Sequence, residues 1–308
     1  MIVGIDEVGR GAWAGPLVVG AVVLGGIQID GLTDSKKLTP KRRRLLAKEI
    51  KEKAVAIGLG WVSAETIDKI GLSEALKMAT RLAVKDIDVP YDEIIIDGTI
   101  KLLDDDRVTT MKRADLLVPS VSAASIVAKV ARDYYMSEVA RVEFPEYSFE
   151  KHVGYGTAVH ATALESHGAC ELHRLSFAPV KKVLGIGLAT TKIDKITSTA
   201  GRVAENVAAD YLNQNGYDIL EQNWRTKLCE IDIVARKNEK VYLIEVKYRK
   251  NAKHGDGISA ITPKKLRQMK FASRVWQHWK GLDVDMSVGV ISVGGTSPKV
   301  DDFLDSID

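Results

Sequence analysis

Cysteine is almost missing from this chain: 308 residues contain two, Cys170 and Cys229. Two thiols cannot build a four-thiolate zinc site or a disulfide framework, so both read as reduced thiols of a cytosolic protein. Long apolar runs are also lacking. The longest near the start, Ala12 to Leu24, is shorter than the roughly 20 residues a membrane helix needs, and Pro16 interrupts it. Asp6, Glu7 and Arg10 precede it, which is not the charge order of a signal peptide. No membrane partner is expected, and the expected location is cytoplasmic. Charge of one sign is not in excess either. At a net +3, any nucleic-acid partner must be argued from where charges cluster. No internal repeat relates the two halves, which points to two unrelated domains.

What is present is a globular composition, 45% hydrophobic and 28% charged, on a chain long enough for two domains. Met1 to Ile5 and Ala14 to Leu24 read as strands joined through a glycine turn, Gly9 to Gly11. Lys41 to Val55 has helical spacing, with Thr39-Pro40 as its start. Glu93 to Ile96 reads as a short strand ending at Asp97-Gly98, and Ser120 to Met136 as a helix with one small-residue face. The pattern loosens between 185 and 198, which reads as a linker. Beyond it, Ala200 to Asn213 and a segment from Thr262-Pro263 to about Trp279 read as helices. Glu230 to Ala235, Val241 to Val246 and Val288 to Val293 read as strands.

In the first half, Asp6, Glu7, Asp97 and Asp115 each lie at a strand end or beside a glycine or proline break. Asp6 and Glu7 would face opposite ways in a regular strand, so they are expected to share a site because the strand ends there. Clustered carboxylates repel unless a cation holds them, and magnesium suits such a cluster. Two such ions can activate a water and stabilise the leaving oxygen of a phosphodiester. The glycine turn offers backbone N–H groups that can approach a sugar closely and read a 2′-hydroxyl.

These residues carry a resemblance. Gly4-Ile5-Asp6-Glu7-Val8-Gly9-Arg10-Gly11 resembles the signature of ribonuclease HII. So do Asp34-Ser35-Lys36-Lys37-Leu38, Ile96-Asp97-Gly98, Pro119 to Lys129, Gly154-Tyr155-Gly156-Thr157 and Ser176-Phe177-Ala178-Pro179, all in the family's order. The resemblance implies an RNase H-like fold over residues 1–184. It implies hydrolysis of the RNA strand of RNA/DNA hybrids, and nicking on the 5′ side of ribonucleotides embedded in duplex DNA. The product ends would be 3′-hydroxyl and 5′-phosphate. By position, Asp6, Glu7, Asp97 and Asp115 match the acids that hold two metal ions, Mg2+ or Mn2+. Gly9, Arg10 and Gly11 match the segment that reads the 2′-hydroxyl. Tyr155 matches the tyrosine that stacks on the sugar following the ribonucleotide. Lys36, Lys37, Ser125 and Lys129 lie in boxes expected to hold the backbone. Val153 departs from the family's usual lysine and removes a phosphate contact. Lys41, Arg42, Arg43 and Arg44 read as a solvated helix face. His152, His160, His167 and His173 read as either phosphate contacts or surface residues.

In the second half, Glu245 and Lys247 are two apart on a predicted strand and share one face. Asp232 falls on the neighbouring strand of the hairpin and can lie beside Glu245. Two metal-binding carboxylates with a lysine near the attacking water make a nuclease site, whereas an edge-strand ion pair is the plainer alternative. The pattern resembles the Asp…Glu-x-Lys motif of the restriction-endonuclease-like α/β/α fold. More narrowly, residues 199 to 300 resemble the YraN family, similar to Holliday-junction resolvases, and the domain is taken as 199–308. Glu205 matches a further acid of that family. Gln222, Asn223, Arg225, Tyr248 and Arg249 sit in matching surroundings, while Ala204 and Cys229 replace usual glycines. The resemblance implies a separate metal site at Asp232 and Glu245 and branched DNA as a partner. The alternative is a non-catalytic DNA-binding or partner-docking module. Lys264, Lys265, Arg267, Lys270, Trp276 and Trp279 on one predicted helix would suit either, or would simply be a packed amphipathic helix.

Overall fold

The computed structural model describes residues 1–184, 199–225, 230–249 and 261–307. The expected linker at 185–198, Cys229 and the side chains of Arg225 and Lys264 lie outside the described residues. The chain forms two compact units, residues 1–167 with 172–177, and residues 168–171 with 178–308.

In the first unit, strands β1 (Ile2–Val8), β2 (Leu17–Val23), β3 (Ala56–Val62), β4 (Glu93–Asp97) and β5 (Val108–Met111) form one sheet in the order β3-β2-β1-β4-β5. The pairings β3-β2 and β2-β1 are antiparallel, and β1-β4 and β4-β5 are parallel. Period-two alternation sends Val3, Ile5, Val19, Ala21 and Ile94 to one face. There they pack on Ile67, Ala75, Leu76 and Ala79 of the helical segment Ala64–Lys85. Val22 on the other face meets Ala123, Ala124 and Val127 of the helix Pro119–Tyr134 and Leu46 and Ile50 of the helix Pro40–Lys53. The latter helix starts as Thr39-Pro40 predicts: Thr39 Oγ1 accepts from the Arg42 N–H at 3.3 Å, with proline in the first turn. This is an α/β/α sandwich with a mixed sheet.

One expectation is corrected here. β1 does not stop before Asp6; it runs to Val8, because β2 continues to pair it as far as Val8↔Val18. What stops is the neighbour on the other side, since β4 pairs β1 only as far as Ile5↔Ile96. Asp6 and Glu7 therefore lie beyond the last β1–β4 pair. They point to opposite faces at the sheet's rim, with Asp97 directly beside them.

The second unit has its own sheet, β6 (Asp218–Arg225), β7 (Glu230–Lys237), β8 (Lys240–Arg249), β9 (Met286–Gly294) and β10 (Lys299–Leu304), in the order β10-β9-β8-β7-β6. Only β8-β9 is parallel. The helix Thr199–Gln214 buries Ala204, Ala208 and Leu212 against Ile233, Ile244 and Ile291 on one face. The helix Pro263–Lys280 places Met269 against Val288 and Val290 on the other. No helix among the described residues is long and apolar enough to cross a membrane.

Candidate active site

Asp97, the last residue of β4, is the centre of the first unit's acids. Its Oδ1 accepts the Ala114 N–H at 2.7 Å, which pins it to the start of the short helix carrying Asp115. Asp6 lies on the face of the Pro119–Tyr134 helix. Burial pushes its carboxyl up to about 7, with Glu7 and Asp97 adding repulsion and Ser125 offsetting part of it. Glu7 is raised by burial and by Asp97, against the pull of Arg10, whose Nη1 stands 3.6 Å from Glu7 Oε1. Asp115 is raised by burial, then by Asp97 and Asp34, and is eased by Lys36 and Lys37. All four acids, together with Arg10, Lys36 and Lys37, thus share one electrostatic neighbourhood.

Mutually repelling, partly buried carboxylates of this kind fit a hard divalent cation, which favours the anionic form of each. Among the described residues, no three His, Cys, Asp or Glu side chains are placed so that together they could hold a metal ion. An open rim suits ions that keep several waters and complete their shell with substrate phosphate.

The remaining residues of the first site fall into place around this rim. Ser125 is buried, its Oγ lies 2.9 Å from Ser35 Oγ, and its hydroxyl faces Asp6, so it supports an acid rather than the surface. Lys129 pairs with Asp133 at 2.8 Å, and its Nζ stands 5.5 Å from the centre of the Tyr155 ring. Tyr155 follows Gly154, whose carbonyl accepts the N–H groups of Trp13 and Ala14 at 2.9 and 3.2 Å. That contact needs glycine: at φ 85°, a Cβ on Gly154 would stand 2.2 Å from the Ala14 carbonyl oxygen. The tyrosine is thereby tied to the loop that carries Gly9, Arg10 and Gly11.

The histidines are corrected. His152, His160 and His173 are buried, neither surface residues nor phosphate contacts. His160 Nε2 lies 3.0 Å from His173 Nε2, and the His152 and His160 rings stack at 4.3 Å. Burial pushes His160 down to about 4, as expected of neutral core imidazoles. Only His167 of the four is exposed. Two residues that sequence reasoning passed over are Arg132 and Arg174, both completely buried. Nothing in their spacing distinguishes them from surface arginines.

In the second unit, a cavity of about 290 Å³ is lined by Glu205, Glu230, Asp232, Glu245, Tyr248 and Lys265, among others. Asp232 on β7 accepts the Val246 N–H at 2.7 Å, which holds it against β8 beside Glu245. Burial, Glu245 and Glu205 push the Asp232 carboxyl up to about 7. Glu205 accepts from Asn223 Nδ2 at 2.8 Å. Lys247 Nζ reaches Glu245 Oε1 at 2.7 Å, so the pair does share a face. Lys265, which the sequence placed only in a basic helix, reaches Glu245 Oε2 at 2.7 Å. In that helix Trp276 is buried and donates to Glu221 at 3.3 Å, and Trp279 packs edge-on against Trp224. Trp276 is thus core and Trp279 half-buried, while Arg267 and Lys270 are exposed.

A family model, Ribonuclease HII, matches residues 3–180, and a second, Uncharacterised protein family UPF0102, matches residues 204–293. Ribonuclease HII of Bacillus cytotoxicus is 46% identical over 184 residues, 59% of this chain and 70% of that relative. Ribonuclease HII of a Polaromonas species is 42% identical over 189 residues, 60% of this chain and 92% of that relative. The crystal structure of ribonuclease H2 from Pyrococcus horikoshii OT3 aligns with a TM-score of 0.50 at 25% identity, covering 59% of this chain and 96% of the other.

Proposed function

The chain belongs to the ribonuclease HII family, a family of divalent-metal-dependent endoribonucleases, and on that premise we propose that it cuts the RNA strand of RNA/DNA hybrids and nicks duplex DNA 5′ of an embedded ribonucleotide. The observation that carries this reading is the coupling of Asp6, Glu7 and Asp115 to one carboxylate, Asp97, at the rim where β4 stops short of β1. These four acids would hold Mg2+ or Mn2+, which when bound supplies an activated water and stabilises the leaving oxygen. The backbone of Gly9, Arg10 and Gly11 reads the 2′-hydroxyl. Tyr155 stacks on the following sugar, and a deoxyribose lets its ring close in where a 2′-hydroxyl would obstruct it. Lys36, Lys37 and Lys129 steady the phosphates, and Ser125 steadies Asp6. The products carry 3′-hydroxyl and 5′-phosphate ends. As domain bounds we propose 1–184 and 199–308.

For the second domain we propose a DNA endonuclease site of Glu205, Asp232, Glu245 and Lys247, with Asp232 and Glu245 holding its metal and branched DNA as its substrate. The alternative, a DNA-binding or docking module without catalysis, is favoured by one observation: both oxygens of Glu245 carry a lysine ammonium at 2.7 Å.

The test is cleavage of duplex DNA containing one ribonucleotide, with Mg2+ or Mn2+. Asp97→Asn is expected to lower turnover more than about 100-fold, beyond the usual loss of an outer-shell partner, while binding persists. Full activity in that variant contradicts the assignment.

A further inference from the structure

Arg132 and Arg174 are fully buried, yet neither forms an ion pair with a carboxylate among the described residues. A buried charge is costly unless its donors are satisfied. Here every partner is a backbone carbonyl. Arg174 donates from Nη1 to Arg10 at 2.9 Å, and from Nε and Nη2 to Gly15 at 3.2 and 3.0 Å. Arg132 donates from Nε to Pro16 at 2.8 Å, from Nη2 to Ala14 at 3.1 Å and from Nη1 to Val153 at 2.8 Å. Two rigid forks therefore hold the carbonyls of one loop, residues 10–16, and of the residue before Gly154. Val153 is itself at φ 43°, a conformation that a β-branched side chain avoids. The Arg132 guanidinium also lies 5.4 Å from the centre of the Tyr155 ring.

The consequence follows from peptide geometry. In a planar trans peptide, C=O and N–H point in opposite directions. With the Arg10 carbonyl turned inward onto Arg174, the N–H of Gly11 in the same peptide unit is turned outward. It finds no acceptor among the described residues. A Cβ at Gly11 would meet no protein atom within 4 Å, so no internal packing requires glycine there.

We propose that Arg174 and Arg132 are positioning residues of the ribonuclease site. Arg174 aims the Gly11 amide at the ribose hydroxyl, and Arg132 locks the segment that presents Tyr155. This rests on the reading of Gly9–Gly11 and Tyr155 given above, and it adds the device that holds the two readers in one frame.

The test uses the full chain with Mg2+ and compares wild type with Arg174→Lys and Arg132→Lys, which keep the charge and lose the fork. The substrates are duplex DNA with one ribonucleotide and a continuous RNA/DNA hybrid. Arg174→Lys is expected to raise KM about 10-fold or more on both, in line with the cost of small misplacements. Arg132→Lys is expected to erase most of the preference for the single-ribonucleotide duplex. Folded variants with wild-type KM and wild-type preference, changed only in Tm, overturn the proposal. Should a variant not fold, amide exchange in wild type decides: Trp13, Ala14 and Gly15 are expected to exchange as slowly as β1, and exchange as fast as that of exposed loops overturns the clamp. If wild type itself shows no preference for the single-ribonucleotide duplex, it is the underlying reading that has failed.

Discussion

Asp6 and Asp232 are each pushed up to about 7, by burial first and by a neighbouring glutamate next. A carboxyl with a folded pKa above its unfolded value, near 3.9, binds more protons folded than unfolded between those limits. Its charge therefore weakens the metal-free fold increasingly as pH rises from about 4 to about 7. In chelator, Asp6→Asn is expected to melt above wild type at about pH 8 and to lose that advantage at about pH 4, with roughly 2–4 °C for each kcal/mol. A variant less stable than wild type at the higher pH contradicts this account of Asp6. Gly11 gives a different kind of prediction. Because a Cβ there meets open space, Gly11→Ala should hold its Tm within about 2 °C and still bind ribonucleotide-containing duplex more weakly. Unchanged binding would mean that nothing approaches that backbone.

Capping explains which elements were readable. Thr262 Oγ1 accepts the Lys265 N–H at 3.2 Å and Pro263 follows it, so the helix begins where the residue types say. Thr262→Ala is expected to cost about 1 kcal/mol, measurable by denaturant titration; no loss would mean that the cap is not what fixes this start. β1, β2, β4 and the Pro119–Tyr134 helix were legible from apolar runs with clear breaks. β3 was not. It contains Gly58 and Gly60, which dilute a strand pattern. They are there because a Cβ would come within 1.9 Å of the Ala83 and 1.8 Å of the Ala79 carbonyl oxygens, a helix contact that no local signal reveals. That Asp6, Glu7, Asp97 and Asp115 would lie near one another was legible, but the reason they meet was not: the break belongs to β4 rather than to β1. Likewise Lys247 was legible from spacing, whereas Lys265 reaches Glu245 from another element. Buried histidines and arginines look the same in sequence as exposed ones.

At the scale of the whole molecule, two acid sets lie in two units with separate sheets. Their activities should therefore separate by mutation. Glu245→Ala is expected to remove any cleavage of branched or single-stranded DNA and to leave ribonucleotide nicking at the wild-type rate. If wild type cuts no DNA structure in such a panel, the second domain is a binding or docking module. The central claim concerns the first domain, and its most direct test is the position of the cut. With end-labelled duplex DNA containing one ribonucleotide, and Mg2+ or Mn2+ present, a single nick is expected on the 5′ side of the ribonucleotide, leaving 3′-hydroxyl and 5′-phosphate ends. Cleavage on its 3′ side, or equal cutting of the all-DNA duplex, would contradict the account.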